Sequence, residues 1–261
     1  MRTIRLTIEY DGTRFHGWQR QPGLRTVQGE LEEALATILR ERVSLAGAGR
    51  TDAGVHALAQ VASFRTASDL SPARIARGAS ALSGPDLLVR EALEAPAGFH
   101  ARHSARARHY AYLLLREPSA LWSTRALLPA RWPDAGAMAA AVEPLVGDHD
   151  FAAFSCRADE ERGTWTRVFY ARWEPWPRGL ALRIGAARFL YKMVRAIVAH
   201  SLRAGAGEVL PGAARALLEH PPGRARRIAP ARGLHFAGAD YADAGGGGDG
   251  GSDCPPPALV L

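Results

Sequence analysis

Polar and apolar residues alternate along residues 3–10, and charges are spread through this segment. A period of two predicts a β-strand, while the scattered charges do not fit a signal peptide. Further strands are predicted at residues 58–65, 108–115, 166–173 and 180–184. Within the strand at 108–115, Tyr110, Tyr112 and Leu114 fall on one face.

Three other segments carry signals of an α-helix. Residues 27–40 carry apolar side chains on one face, with Thr26 as the expected N-cap. A Ser-Pro pair at residues 71–72 is typical of a helix start. Residues 189–203 carry a wide apolar stripe. Strands and helices therefore mix along the whole chain, and residues 96–98 mark an expected change of subdomain.

The third predicted helix contains an arginine that needs explaining. Arg195 shares a side of the helix with Val198 and Leu202, so it is expected to be largely buried. A buried guanidinium needs a carboxylate partner, since an uncompensated one costs roughly 3–5 kcal/mol. The helix and its flanks contain no acidic residue, and Asp52 is an attractive partner from elsewhere in the chain. The alternative is that Arg195 extends its charged end to solvent.

Length and composition exclude several classes of protein. A chain of 261 residues with 47% hydrophobic content can bury a sizeable core, so disorder is not its main state. No apolar run approaches the length of a membrane span, and we expect a soluble, cytoplasmic protein. Cys156 and Cys254 lie far apart and without ligand spacing, so neither a disulfide framework nor a metal site is expected. The glycine- and proline-rich residues 244–261 are expected to be a disordered tail.

The charge balance indicates a polyanionic partner. The net charge is +7, and Lys192 is the only lysine among the 33 cationic residues. Coding bias explains much of the preference for arginine, although arginine is also well suited to phosphates and bases. A cluster before the strand at 108–115 resembles a phosphate-binding edge, and a solvated run of charge is the alternative. Its members are Arg102, His103, Arg106, Arg108 and His109.

Residues 49–57 read Gly-Arg-Thr-Asp-Ala-Gly-Val-His-Ala and carry the clearest chemical signal in the chain. Glycines bracket Asp52 and allow the backbone to approach a ligand closely. The neighbouring Arg50 favours the ionised form of Asp52, which could then act as a nucleophile or a base. The alternative is an ordinary turn with a surface ion pair.

This motif, with others in the same order, resembles the tRNA pseudouridine synthase A family across about residues 3–241. The other matching segments are Gly17-Trp18-Gln19-Arg20-Gln21, Thr26-Val27-Gln28, Phe99-His100-Ala101-Arg102, Arg108-His109-Tyr110, Phe189-Leu190-Tyr191-Lys192-Met193-Val194-Arg195 and Gly233-Leu234. The resemblance implies an α+β pseudouridine synthase fold: two similar sheet-and-helix halves that share a long antiparallel sheet, with a basic cleft between them. We expect subdomains at residues 1–104 and 105–243, followed by the tail.

The resemblance also implies roles for individual residues. Asp52 matches the catalytic aspartate, Tyr110 the tyrosine that stacks on the target base, and Arg195 the basic partner of the aspartate. Arg50 matches a residue that helps to hold the flipped nucleotide. The expected substrate is the anticodon arm of tRNA, with uridines at tRNA positions 38 to 40 converted to pseudouridine. The family acts as a homodimer and uses no cofactor and no metal.

Several positions depart from the family pattern and bear on the shape of the cleft. They are Ser80, Ala187, Arg188 and Ala196. The main alternative is therefore a catalytically weak RNA-binding or tRNA-folding protein on the same scaffold, although all of the catalytic residues are kept. A hydrolytic nucleosidase is a third possibility, disfavoured because the sequence supplies no second carboxylate near Asp52.

Overall fold

The computed structural model describes residues 1–157, 163–220, 223–225 and 227–242. The chain divides by packing into two units. One contains Met1–Arg108 with the described residues from His235 onward, and the other contains His109–Leu234. The fold class is mixed α+β with mostly antiparallel strand pairs, as expected. The tail predicted at residues 244–261 lies outside the described residues.

The first unit contains five strands and two α-helices among its described residues. They are β1 (Arg2–Tyr10), α1 (Val27–Leu39), β2 (Ala46–Gly47), β3 (His56–Thr66), α2 (Pro72–Leu82), β4 (Leu87–Ala95) and β9 (Leu234–Tyr241). The strand order is β4-β1-β3-β9, and β2 pairs with β3. All of these pairs are antiparallel except β3–β9, which is parallel with His56 opposite His235. The start of β3, which lies within the motif that contains Asp52, is therefore flanked by β1 and β9.

Local sequence explains why α1 begins where it was predicted. The hydroxyl of Thr26 accepts a hydrogen bond from the backbone of Gly29 at 3.3 Å and caps the helix. Val27, Leu31 and Leu35 are fully buried and form its inner face. The helix ends at Arg40, which has a φ of 56°. The Thr26 cap and an apolar period of about 3.6 residues thus explain why α1 begins shortly after the glycine-rich loop of residues 11–23.

The second unit contains four strands and three α-helices among its described residues. They are β5 (Ala105–Leu115, which begins in the first unit), α3 (Ala135–Val142), β6 (Gly147–Asp150), β7 (Trp165–Trp176), β8 (Gly179–Ala186), α4 (Met193–Gly205) and α5 (Ala213–Glu219). The strand order is β5-β8-β7-β6, and α3 packs against α4 and β7. Leu113, Leu115 and Ala181 form part of the core, against which Trp122 and Trp176 pack. This unit carries Tyr110 on β5 and Arg195 on α4.

Two predicted elements differ from those observed. The third helix begins at Met193 and not near residue 189, because Lys192 has a φ of 61° and interrupts helical geometry. Strand β5 is buried on both faces from His109 to Leu115, so its alternation does not separate a solvent face from a core face. Strands β2, β4, β6 and β9 and helices α3 and α5 were not predicted individually. No helix in the described part of the chain is both long and apolar enough to cross a membrane.

Candidate active site

Asp52 is the first residue of a tight turn that leads into β3. The backbone N–H of Val55 donates to the carbonyl of Asp52 at 3.2 Å and closes the turn. Gly54 occupies the third position with a φ of 76°, a conformation that such turns reserve for glycine. Asp52 is half-buried and Arg50 is exposed. The expected glycine-dependent turn is therefore present, with the carboxylate at its start.

The loop after β1 holds this turn by backbone contacts. The N–H of Trp18 donates to the carbonyl of Thr51 at 3.0 Å, and the N–H of Gly54 donates to the carbonyl of Phe15 at 3.3 Å. A Cβ on Gly17 would lie 2.7 Å from the Thr51 carbonyl, and one on Gly12 would overlap the Val55 carbonyl. The two segments can approach this closely only because both positions are glycine.

Buried side chains fix the residues on either side of Arg50. The hydroxyls of Tyr10 and Thr51 lie 2.8 Å apart, and the amide of Gln60 donates to the carbonyl of Gly49 at 2.9 Å. Burial raises the pKa of Tyr10 to about 12, so its phenol stays protonated and can donate to Thr51. Strands β1 and β3 thus hold the peptide backbone before Asp52 through side chains that sequence reasoning did not identify.

An aspartate–histidine pair joins the loop after β1 to the start of β3. Nδ1 of His56 is 3.2 Å from a carboxylate oxygen of Asp11 and 3.1 Å from the backbone nitrogen of Gly12. The backbone N–H of Gly12 donates to this nitrogen. The contact with His56 is the largest of the effects that hold the pKa of Asp11 well below its usual range. The ring of His56 also stacks on that of His235 at 4.8 Å, which links β3 to β9.

Arg25 supports the outer side of the same loop. Its guanidinium donates to Asp86 at 2.7 Å and to Glu30 at 2.7 Å, and it lies 4.2 Å from the ring centre of Phe15. The ion pair lowers the pKa of Asp86. The carbonyl of Asp86 accepts a hydrogen bond from the backbone of Asp11 at 2.9 Å. The loop is therefore tied to α1 and to the start of β4.

Tyr110 lies on β5 in the second unit. Its side chain is buried, and its ring packs edge to face against Phe189, with centres 5.0 Å apart. The aromatic partner comes from the loop before α4, in the segment that carries part of the family resemblance. Sequence reasoning assigned Tyr110 a base-stacking role, which stays a prediction.

Arg195 is half-buried on α4. Its Nε donates to the carbonyl of Ala229 at 2.8 Å, while the backbone N–H of Ala229 donates to the carbonyl of Arg195 at 2.9 Å. The hydroxyl of Tyr112 donates to the neighbouring Pro230 carbonyl at 2.9 Å. Arg195 belongs to the second unit and Asp52 to the first, and their predicted pairing stays a prediction.

The basic cluster around residue 105 divides into structural and exposed members. Arg108 donates to the carbonyls of Ala48 at 3.2 Å and Ala105 at 3.0 Å, and also to that of Arg102. His109 is 1% exposed and bonds the Tyr170 hydroxyl at 2.8 Å. The side chains of Arg102, His103 and Arg106 are exposed. The cluster is therefore only partly available to an anion.

The departures from the family pattern have local structural roles. The backbone N–H of Val89 donates to the Ser80 hydroxyl at 2.9 Å and joins α2 to β4. Arg188 donates to the carbonyl of Gly163 at 2.7 Å, and the backbone of Ala187 donates to that of Arg167 at 2.9 Å. Ala196 is buried on α4. None of these contacts involves Asp52 or Arg50.

Metal-ligating side chains do not group together in the described part of the chain, where no set of three His, Cys, Asp or Glu residues could hold an ion. The carboxylates near the turn have other roles: Asp11 pairs with His56, and Asp86 pairs with Arg25. The arrangement can therefore supply one positioned carboxylate, Asp52, on a backbone held by hydrogen bonds. That capacity suits nucleophilic or general-base chemistry.

Comparisons with known proteins agree with the residue-level resemblance. A family model described as tRNA pseudouridine synthase matches residues 6–104 and 141–242. Tyr110 lies between these two segments, whereas Asp52 and Arg195 lie within them. A tRNA pseudouridine synthase A of Pelodictyon phaeoclathratiforme is 47% identical over 81% of this chain and 88% of its own length. Those of Chlorobaculum tepidum and Chlorobium luteolum are 47% and 45% identical, over 84% and 93% of this chain and 89% and 97% of their own lengths.

We predict that Gly12→Ala destabilises the protein, because the new methyl group overlaps the Val55 carbonyl. Overpacking of this kind costs about 1–3 kcal/mol. Thermal unfolding should show a Tm several degrees lower, at about 2–4 °C per kcal/mol. Gly212→Ala is the matched control, since its new methyl group enters open space at a φ of −72°. An equal Tm for the two variants would contradict the proposed close contact.

We predict that Asp11→Asn lowers stability in a pH-dependent way. Because the pKa of Asp11 is depressed in the folded state, its contribution is complete above the unfolded value of about 4 and is lost as the pH falls further. Urea unfolding should show a deficit at pH 5–7 that shrinks below about pH 4. Asp69→Asn, at an exposed position, is the control. A deficit that stays constant through this range would rule out the ionised Asp11 as its source.

Proposed function

The chain belongs to the tRNA pseudouridine synthase family and isomerises uridine in tRNA, and we propose that it acts on the anticodon arm with Asp52 as its catalytic carboxylate. The observation that carries the catalytic assignment is the position of Asp52 at the start of a turn fixed by the Trp18–Thr51 and Gly54–Phe15 hydrogen bonds. A carboxylate held in this way is ready for reaction before the substrate binds.

The chemistry needs a single well-placed acid group. The bond between C1′ and N1 of uridine breaks, the uracil turns, and a bond forms between C1′ and C5 as the C5 proton leaves and N1 gains a proton. The sugar develops positive charge when the glycosidic bond breaks. Asp52 either adds to C1′ and is later displaced, or removes a proton from C2′ and returns it. Both routes use the ionised carboxylate, and neither consumes a group or an electron.

The target nucleotide must leave the base stack to reach a carboxylate on a turn. Enzymes that act on a base inside a helix extrude the nucleotide into a pocket and replace the lost stacking with aromatic side chains. Tyr110 is the proposed stacking residue, and its edge-to-face contact with Phe189 at 5.0 Å supports a fixed ring orientation. Its hydroxyl is a candidate for moving the C5 proton. Arg50, exposed two residues before Asp52, is proposed to help hold the flipped nucleotide.

Arg195 is proposed as the cationic partner of Asp52. The hydrogen bond from its Nε to Ala229 occupies one edge of the guanidinium and limits its rotation. Arginine suits this role because its remaining N–H groups form a fixed fork that matches a carboxylate. Such a pair keeps the Asp52 carboxylate ionised and fixes its orientation.

Further features of the proposal follow from family membership. Binding of the anticodon arm is expected to weaken steeply with salt, because phosphate contacts release counterions. The exposed Arg102 and Arg106 are candidates for these contacts. We also propose a homodimer that acts in the cytoplasm, and the subdomain division at residues 1–104 and 105–243.

We predict that Asp52→Ala abolishes turnover but changes tRNA affinity by less than about tenfold, or roughly 1.4 kcal/mol. The measurement is tritium release from tRNA carrying [5-³H]uridine, with free uracil followed in parallel. Wild type should release tritium without free uracil, and the exposed Asp69→Ala should behave like wild type. Full turnover by Asp52→Ala would remove the catalytic assignment, and free uracil would indicate hydrolysis.

We predict that Arg195→Ala loses activity together with some stability, since it leaves the carboxylate without its partner and Ala229 without its side-chain donor. Tritium release and thermal unfolding measure the two effects. The double variant with Asp52→Ala should lose less stability than the sum of the single losses. Strict additivity in this cycle would argue against the pairing. Arg215→Ala, at an exposed position of α5, is the control.

A further inference from the structure

Two polar side chains of α1, Gln28 and Glu32, are each only 9% exposed. They lie one helical turn apart, and Nε2 of Gln28 donates to a carboxylate oxygen of Glu32 at 2.9 Å. The helix already packs through its apolar face, so burial of α1 does not require them. Because buried polar groups are kept where hydrogen bonds satisfy them, the partners of this pair show what it holds.

Gln28 is bonded to the loop after β1. Its side-chain oxygen accepts a hydrogen bond from the backbone N–H of Arg20 at 3.0 Å, and its own backbone N–H donates to the carbonyl of Trp18 at 3.0 Å. The Arg20 N–H requires an acceptor, which fixes the orientation of the Gln28 amide. The N–H of Trp18 donates in turn to the carbonyl of Thr51, the residue before Asp52. A short chain of hydrogen bonds therefore leads from Gln28 to the Asp52 turn.

The same pair holds the segment on which the Trp18 ring packs. The backbone N–H of Leu45 donates to Glu32 at 3.0 Å, and Nε2 of Gln28 donates to the carbonyl of Leu45 at 3.1 Å. Two residues further on, the indole of Trp18 lies so close to Gly47 that a Cβ there would be 2.6 Å from the ring. Gln28 and Glu32 thus hold both the backbone of Trp18 and the segment that its ring contacts.

We propose that Gln28 and Glu32 are positioning residues for the isomerisation, because they hold Trp18 and, through it, the backbone that carries Asp52. The inference rests on the catalytic role proposed for Asp52. A reacting group displaced by about 1 Å can lose roughly a hundredfold in rate, so release of Trp18 should act on turnover. A pair that only stabilised the unit would, when removed, lower the Tm and leave kcat unchanged.

The test is the kinetics of Gln28→Met, which keeps the approximate length of the side chain but removes its three hydrogen bonds. Initial rates of tritium release from tRNA carrying [5-³H]uridine, measured well below the Tm of each variant, give kcat and KM. We expect kcat to fall by at least about tenfold, with KM within about threefold of wild type. In the free protein, exchange of the Trp18 amide should accelerate at least about tenfold, while amides in the centre of β1 keep their rates.

Three matched variants separate positioning from stability. Glu32→Gln keeps an acceptor for the Leu45 N–H, so it should retain kcat within about threefold of wild type. Leu35→Val removes a buried methylene from the same helix without touching a hydrogen-bonded group, so its Tm should fall while kcat stays within about twofold. Glu33→Gln removes an exposed contact with Arg20 at 3.4 Å and should behave like wild type.

A kcat of Gln28→Met no lower than that of Leu35→Val would overturn the proposal. A higher KM with an unchanged kcat, or an unchanged rate of Trp18 exchange, would overturn it as well. If Gln28→Met does not fold, Gln28→Asn gives the same test with the same expectations, because its amide is one methylene shorter and cannot keep all of its partners. Turnover by Asp52→Ala would remove the proposed function itself. The Trp18 exchange rate is measured without RNA, so it shows separately whether Gln28 holds the loop.

Discussion

The close approach of two backbones, the loop after β1 and the turn that begins at Asp52, is the constraint on which the first unit depends. Gly12 and Gly17 provide the space for this approach, and the Trp18–Thr51 and Gly54–Phe15 hydrogen bonds define its register. Because the contact is made by backbone atoms, the fold itself sets the position of the Asp52 backbone. The pairs Tyr10–Thr51 and Asp11–His56 add stiffness from β1 and β3.

The sequence predicted the features of the fold that depend on local spacing. The helix capped by Thr26 and the strand that begins the chain were correct to within a residue or two, because caps and periodicity act over a few residues. Strand β9 was not predicted, since its parallel pairing with β3 joins residues about 180 positions apart. The start of α4 was wrong because a single left-handed residue, Lys192, leaves no clear signature in an apolar stripe.

The sequence predicted the carboxylate of the candidate site, but it did not predict the residues that hold that carboxylate in place. Asp52 stands out because glycines and an arginine surround it in sequence. Gly12 and Tyr10 could not be recognised as supports from the residues alone, since their importance arises only when β1 and β3 pair. The second unit shows the same division: Arg195 was evident from its unusual position on an apolar helix, whereas its bond to Ala229 depends on a chain segment far away in sequence.

The central claim is that the Asp52 turn is rigid before RNA binds, and hydrogen exchange at single amides tests it most directly. The amides of Trp18 and Gly54 donate the two bonds that join the loop to the turn. In the free protein, we expect both to exchange as slowly as the amides in the centre of β1 and β3, through unfolding of the whole unit. Exchange of these two amides at rates typical of an open loop, while β1 and β3 stay protected, would contradict the account.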